Sequence, residues 1–148
     1  MMVADSQASS QISDVSRFKG MRFLTPTERE ARLAMRDTRS GLVVLAEALR
    51  RKAKADQVLI TLGAEGLLIH APQDGVPVIT DRLPAFNTAP KDVSGAGDSL
   101  LTCTAMAVVA GHDIWRSAYL GAVAAGCQVG RVGNSPLAAA QLIAELRQ

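Results

Sequence analysis

The run Asp92-Val-Ser-Gly-Ala-Gly-Asp98 places two carboxylates around a Gly-Ala-Gly turn, directly ahead of a long apolar segment. The apolar segment reads as a helix, so the turn sits at a helix N-terminus. Backbone N–H groups there are unpaired and carry a partial positive charge. Glycines let such a backbone approach an anion closely. The amides of Gly95, Ala96 and Gly97 thus make a cradle for a phosphate or an oxyanion. Asp98, in the first turn, points toward the same space and can take a proton from a hydroxyl held there. A base beside an anion cradle is what phosphoryl transfer requires. The plainer alternative is that Asp98 only complements the helix dipole.

Two familiar phosphate loops do not fit. Gly-Lys-Ser/Thr is absent, so this is not a Walker A loop, and Leu100 occupies the place of the last glycine of G-x-G-x-x-G. The 148 residues suit one domain of ordinary composition, 48% hydrophobic and 20% charged. Aromatics are only 3%, so the core must come from Leu, Val, Ile and Ala. A net charge of +2 is too small to imply a nucleic-acid partner. Arg29, Arg32 and Arg36, and the run Arg50, Arg51, Lys52 and Lys54, lack interleaved aromatics and read as solvated helix faces. Cys103 and Cys127 lie in apolar surroundings and read as buried, reduced thiols of a cytoplasmic protein. His70 and His112 are isolated, without ligand-like spacing. The N-terminus lacks a signal-peptide pattern, and Gly121, Gly126 and Gln128 interrupt the apolar stretch from Ala118 to Val129, which excludes a membrane span.

The elements that must hold the cradle follow from periodicity. "MVA" before Asp5 resembles the tail of a buried parallel strand, "SQASSQISD" reads as loop, and "MRFL" is a second short strand. Thr25 or Thr27 can cap the helix that follows. Leu42, Leu45, Ala46, Leu49 and Ala53 fall at helical spacing. Gln57 to Gly63 and Gly66 to His70 are apolar strands joined tightly through Gly63 to Gly66, which predicts a hairpin. Val76 to Thr80 is a further strand, and Pro77 favours a sheet edge. Three helices close the chain. The first, Ser99 to Ala110, is apolar all round and expected to be buried. The second is capped by Asp113 and runs to about Val129. The third has Ser135 and Pro136 at its cap and first position. The fold class is α/β, with short strands followed by a helical C-terminal third.

"DVSGAGDSLL" resembles the C-terminal signature of the ribokinase-like PfkB carbohydrate kinases, Asp-x-x-Gly-Ala-Gly-Asp. "ITLGAEG" (60–66) is similar to that family's Thr-Leu-Gly-x-x-Gly nucleotide segment, and "GRVGNSP" (130–136) to the segment closing its nucleotide and cation region. The early strand–loop–strand is most similar to heptose-phosphate kinases. The resemblance implies a partial PfkB domain over residues 1–148, the C-terminal half of a three-layer α/β/α fold. It implies Asp98 as the base, with Gly95, Ala96 and Gly97 as the anion hole, and Thr61, Gly63 and Gly66 along the ATP phosphates and ribose. Asp92 and Ser94, with carbonyls near Arg131 and Gly133, match a potassium position. Glu30 matches the acid of an Asn-x-x-Glu motif that organises Mg²⁺ and phosphate, with Thr27 standing where the family has Asn.

A complete member is about twice this length, and its sugar-binding residues and lid precede the matched half. Whether the chain is a gene fragment or pairs with a separate half, two functions are open. One is the ATP side of a kinase acting on a sugar or sugar phosphate, inactive in isolation. The other is a non-catalytic nucleotide-binding or dimerising module. The expected consequence of a missing half is incomplete cover over Val3, Val58, Ile60, Leu67 and Ile69, relieved by self-association or by pairing with that half.

Overall fold

The computed structural model describes residues 1–5, 14–73, 75–133 and 135–147. The predicted "SQASSQISD" loop therefore falls almost wholly outside the described residues. The chain divides into two compact units, Met1–Gly63 with Leu67–Arg82, and Ala64–Gly66 with Leu83–Gln148.

The first unit is built on a five-stranded sheet in simple sequence order. Its strands are β1 (Val3–Ala4), β2 (Phe23–Leu24), β3 (Gln57–Thr61), β4 (Leu67–Gln73) and β5 (Val76–Leu83). Pairing is parallel from β1 to β3, with Val3 opposite Phe23 and Phe23 opposite Gln57. β3 and β4 form the predicted antiparallel hairpin, Ile60 facing Leu68. β5 is an edge strand, as Pro77 requires, because proline has no N–H to give a second neighbour.

Helices α1 (Glu28–Met35) and α2 (Leu42–Ala53) follow β2. Thr27, rather than Thr25, caps α1. Its Oγ1 accepts the Glu30 N–H at 3.2 Å, while the Glu30 carboxylate accepts the Thr27 N–H at 2.8 Å. The stripe Leu45, Ala46, Leu49 and Ala53 of α2 is buried with Ala31 and Ala34 of α1 against Leu24, Val58, Ile60 and Leu68. Alternate strand residues Phe23, Leu59, Leu67 and Ile69 are buried too, so these strands lose both faces to the interior. The expectation of open apolar rows is thus corrected: Val58, Ile60, Leu67 and Ile69 are fully covered, and only Val3, on the edge strand, is half-exposed.

His70 is not isolated. It is buried, its Nε2 lies 2.9 Å from Glu47 Oε2, and its Nδ1 lies 2.7 Å from Thr80 Oγ1. Glu47 also accepts Arg50 and Arg51, and Lys52 donates to the Ala34 carbonyl. Arg50, Arg51 and Lys52 of the basic run are thereby engaged locally.

The second unit contains α3 (Ala96–Val109), α4 (Ile114–Val129) and α5 (Ala139–Glu145). Asp113 caps α4, its side chain accepting the Arg116 N–H at 2.9 Å. α3 and α4 approach so closely at Gly121 that a Cβ there would stand 2.1 Å from Thr104 Oγ1. Three expectations change. α3 begins at Ala96 rather than Ser99, with Asp98 in its first turn as expected. Nor is α3 a buried helix: only Leu100, Thr104 and Ala107 are covered. α5 begins at Ala139, because the Arg131 guanidinium binds the Ser135 and Pro136 carbonyls and keeps that stretch out of the helix. Cys103 and Cys127 are half-buried free thiols rather than core residues, and partial burial raises the pKa of each. Among the described residues no helix is long and apolar enough to cross a membrane.

Candidate functional site

In the second unit the loop ahead of α3 is fastened before the helix starts. The Val129 carbonyl, at the end of α4, accepts the N–H groups of Lys91 at 2.7 Å and Asp92 at 3.2 Å. Asp92 Oδ1 accepts the Ser94 N–H at 2.9 Å and Oδ2 the Gly133 N–H at 3.0 Å. The Ser94 backbone and side chain, then the Gly133 N–H, hold the Asp92 carboxyl below the usual aspartate range. One carboxylate thus ties the loop before α3 to the loop after α4.

Gly95 turns the chain into α3 with φ of +77°, a conformation that costs a glycine little. The helix opens without a side-chain cap. Ala96 N–H bonds the Val93 carbonyl at 3.3 Å, and the first intrahelical bond runs from Ser99 N–H to the Gly95 carbonyl at 3.0 Å. The amides of Gly97 and Asp98 lie before any intrahelical acceptor. Gly97 and Asp98 are exposed, so uncapped donors and a carboxylate face solvent together. α3 is three residues longer at its start than its periodicity suggested, and its open amides are those of Gly97 and Asp98.

Gln128 completes the group, and the sequence reading passed over it as an interruption in an apolar helix. It is 1% exposed. Its Nε2 donates to the Ser94 carbonyl at 3.2 Å and the Gly133 carbonyl at 3.3 Å, and its Oε1 accepts from Arg131. A lone long polar residue among small apolar ones was the available signal. Arg131 joins through a donor-only guanidinium, so its side chain organises the loop and cannot ligate a cation. Nearby, Asn87 donates to the Gly126 carbonyl at 3.2 Å and lines a cleft with Phe86, Cys127, Gly130 and Arg131. Asn87 was also missed; nothing in its spacing marked it.

Gly66 belongs to this unit, with φ of +96°, and a Cβ would lie 2.1 Å from the Leu83 carbonyl oxygen. Only glycine fits. Thr61 and Gly63 belong to the first unit, where the Thr61 N–H donates to the Pro26 carbonyl at 2.9 Å and Thr61 bridges Thr27. The Thr27–Glu30 pair therefore stands at the carboxyl end of β3, the side of a parallel sheet where ligands bind. Glu30 is buried, and its Oε2 accepts both the Thr27 N–H and Oγ1 at 2.8 Å. No cluster of three or more His, Cys, Asp or Glu occurs among the described residues. Mg²⁺ is commonly held by one or two carboxylates plus substrate phosphates, so a single glutamate suits that ion's habit.

The family profile described as pfkB family carbohydrate kinase matches residues 1–140. The bifunctional protein HldE of Geotalea uraniireducens is 34% identical over 137 residues, covering 90% of this chain and 27% of that protein. Phosphofructokinase-2 of Escherichia coli, solved with potassium, superimposes with a TM-score of 0.80 at 14% identity, over 98% of this chain and 46% of the enzyme. Ribokinase of Arabidopsis thaliana, solved with ribose and ATP, gives 0.79 at 20% identity, over 99% and 47%. The fold is ribokinase-like α/β. The chain spans about a quarter of its curated relative and just under half of each solved kinase.

Proposed function

Because the chain belongs to the pfkB family of carbohydrate kinases, we propose that it carries the nucleotide side of an ATP-dependent kinase acting on a sugar or sugar phosphate. The single observation that carries this reading is the uncapped start of α3, with exposed Asp98 in its first turn. Asp98 takes the proton of the acceptor hydroxyl. The Gly95-Ala96-Gly97 turn, through the open amide of Gly97 in the first place, stabilises the charge on the moving phosphoryl group, and the aligned dipoles of α3 add to that field. Asp92 holds the loop so that these amides are already oriented when substrate arrives. Thr61, Gly63 and Gly66 follow the ATP phosphates and ribose, with glycine at position 66 leaving the backbone accessible. Mg²⁺, when bound, neutralises the phosphates, and Glu30 with Thr27 orients the water or phosphate side of that ion. The oxygens of Asp92, Ser94 and Gly133 correspond to the place where the resemblance puts potassium. Binding of ribose and ATP by the Arabidopsis neighbour supports the substrate class.

The resemblance of the early strand–loop–strand to heptose-phosphate kinases supports a heptose phosphate as the acceptor in particular. The acceptor-positioning residues lie in the kinase half that this chain does not match, so the 148 residues alone bind ATP weakly and transfer nothing. The second reading, a nucleotide-binding or dimerising module, is favoured by the exposed apolar face of the second unit. A coupled ADP-release assay separates the two. A protein uniting these residues with a sugar-binding half should phosphorylate one member of a panel of sugars and sugar phosphates. Sugar-dependent ADP release by the 148 residues alone, or none by the united protein, overturns the proposal.

A further inference from the structure

The gap between the Ser94 and Gly133 carbonyls already has an occupant. Gln128 Nε2 stands 3.2 Å from one oxygen and 3.3 Å from the other. The amide's orientation is fixed chemically: a guanidinium can only donate, so Arg131 must face Oε1, and two carbonyls can only accept, so they must face Nε2. Burial of the side chain, at 1% exposure, removes the option of swinging out cheaply. Each oxygen of Asp92 also accepts a backbone N–H, from Ser94 and from Gly133. A cation ligating both carbonyls would have to stand in the space that the amide nitrogen fills.

We infer that the Gln128 carboxamide replaces a monovalent cation in this chain, so that the loop leading to the anion cradle is organised without potassium. The Arg131 guanidinium supplies the positive charge. It polarises the carboxamide through Oε1, and the N–H groups pass that polarisation to the two carbonyls, as coupled hydrogen bonds reinforce one another. The loops before α3 and after α4 are thus joined by a neutral side chain backed by a fixed cation. The inference rests on the kinase reading only for what the cradle binds; the substitution itself concerns the loops alone.

The test reads melting rather than catalysis, so it stands apart from any failure of the kinase assay. The 148-residue chain is melted in potassium chloride and in tetramethylammonium chloride at equal ionic strength. A bound cation would raise the melting temperature by linkage. The wild-type protein should melt within about 1 °C in the two salts, below the shift expected from one occupied site. Gln128→Ala, which empties the gap, should melt lower and regain several degrees in potassium only. Gln128→Thr, smaller but still polar, serves where the alanine variant does not fold, and should show the same gain. Potassium-specific stabilisation of the wild type overturns the inference. So does a folded variant equally indifferent to both salts, since the gap would then not be a cation position.

Discussion

The two units differ in how many of their large apolar side chains they bury. In the first, Phe23, Leu24, Leu45, Leu49, Leu59 and Ile60 are completely buried, Glu47 ties α2 to β4 through His70, and Lys52 ties α2 to α1. In the second, Val93, Met106, Val109 and Val132 are between 66% and 80% exposed, and α5 buries no side chain. The first packs its largest apolar side chains inside, though Val43 and Val44 of α2 stay exposed. The second opens α3 without a side-chain cap and leaves several large apolar side chains exposed.

The largest expected effect tests the chemistry of the second unit. In a protein that carries a sugar-binding half as well, Asp98→Asn should lower kcat by ~10²–10⁴-fold, the usual size of a general-base contribution. Because Asp98 is exposed, the melting temperature should hardly change. Turnover near that of wild type would leave Asp98 as a helix-dipole residue only.

Next in size is the contrast between interiors. Leu49→Ala in α2 should cost about 2–5 kcal/mol by urea denaturation, the range for emptying a packed leucine site. Met106→Ala on the exposed face of α3 should stay within about 0.5 kcal/mol. A large and concentration-dependent cost at Met106 would break the comparison, because the face would then be covered by a second copy. Light scattering at micromolar concentration reads the same outcome directly.

The sequence made the first unit legible because period and burial agree there. The α2 stripe, the β3–β4 hairpin and the edge position implied by Pro77 all follow from local rules. The turn that opens α3 was legible too, since Gly-Ala-Gly ahead of an apolar run marks a helix start. What failed lies where side chains act across long separations. The start of α5 depends on Arg131 holding carbonyls ahead of the helix, and Ser135-Pro136 looked like a cap only locally. Gln128 bonds a carbonyl 34 residues before it and another 5 residues after it, so no window could reveal it. The apolar composition of α3 suggested burial, yet composition does not say which neighbour would cover it.

A smaller effect separates the units by pH. The Arg50 hydrogen bond, then those from His70 and Arg51, draws the Glu47 pKa down to about 2 from 4.5. A carboxylate whose folded pKa is depressed stabilises the fold above its unfolded value and loses that contribution as pH falls through the folded one. Melting temperature should therefore decline between pH 4.5 and 2 in part because of Glu47. Glu47→Gln should be less stable at neutral pH and show a shallower decline over that window. Parallel curves for the two proteins would remove Glu47 from the acid limb.

The smallest effect concerns the cap of α1, where the family pattern has Asn and this chain has Thr27. Thr27 Oγ1 accepts the Glu30 N–H and donates to the buried Glu30 carboxylate. Removing the hydroxyl in Thr27→Ala should cost about 1 kcal/mol, the typical loss for an N-cap, and withdraw one donor from a carboxylate with little access to water. Asn is at least as good an N-cap as Thr, so Thr27→Asn should hold stability within a few tenths of a kcal/mol. If position 27 serves only the helix, the two replacements should differ in melting and agree in nucleotide affinity once folded. If it also orients Mg²⁺ and phosphate through Glu30, Thr27→Ala should weaken Mg²⁺-dependent ATP binding beyond its effect on stability, while Thr27→Asn should not. Titration calorimetry with and without Mg²⁺ reads the difference, and equal affinities for both folded variants would confine Thr27 to capping.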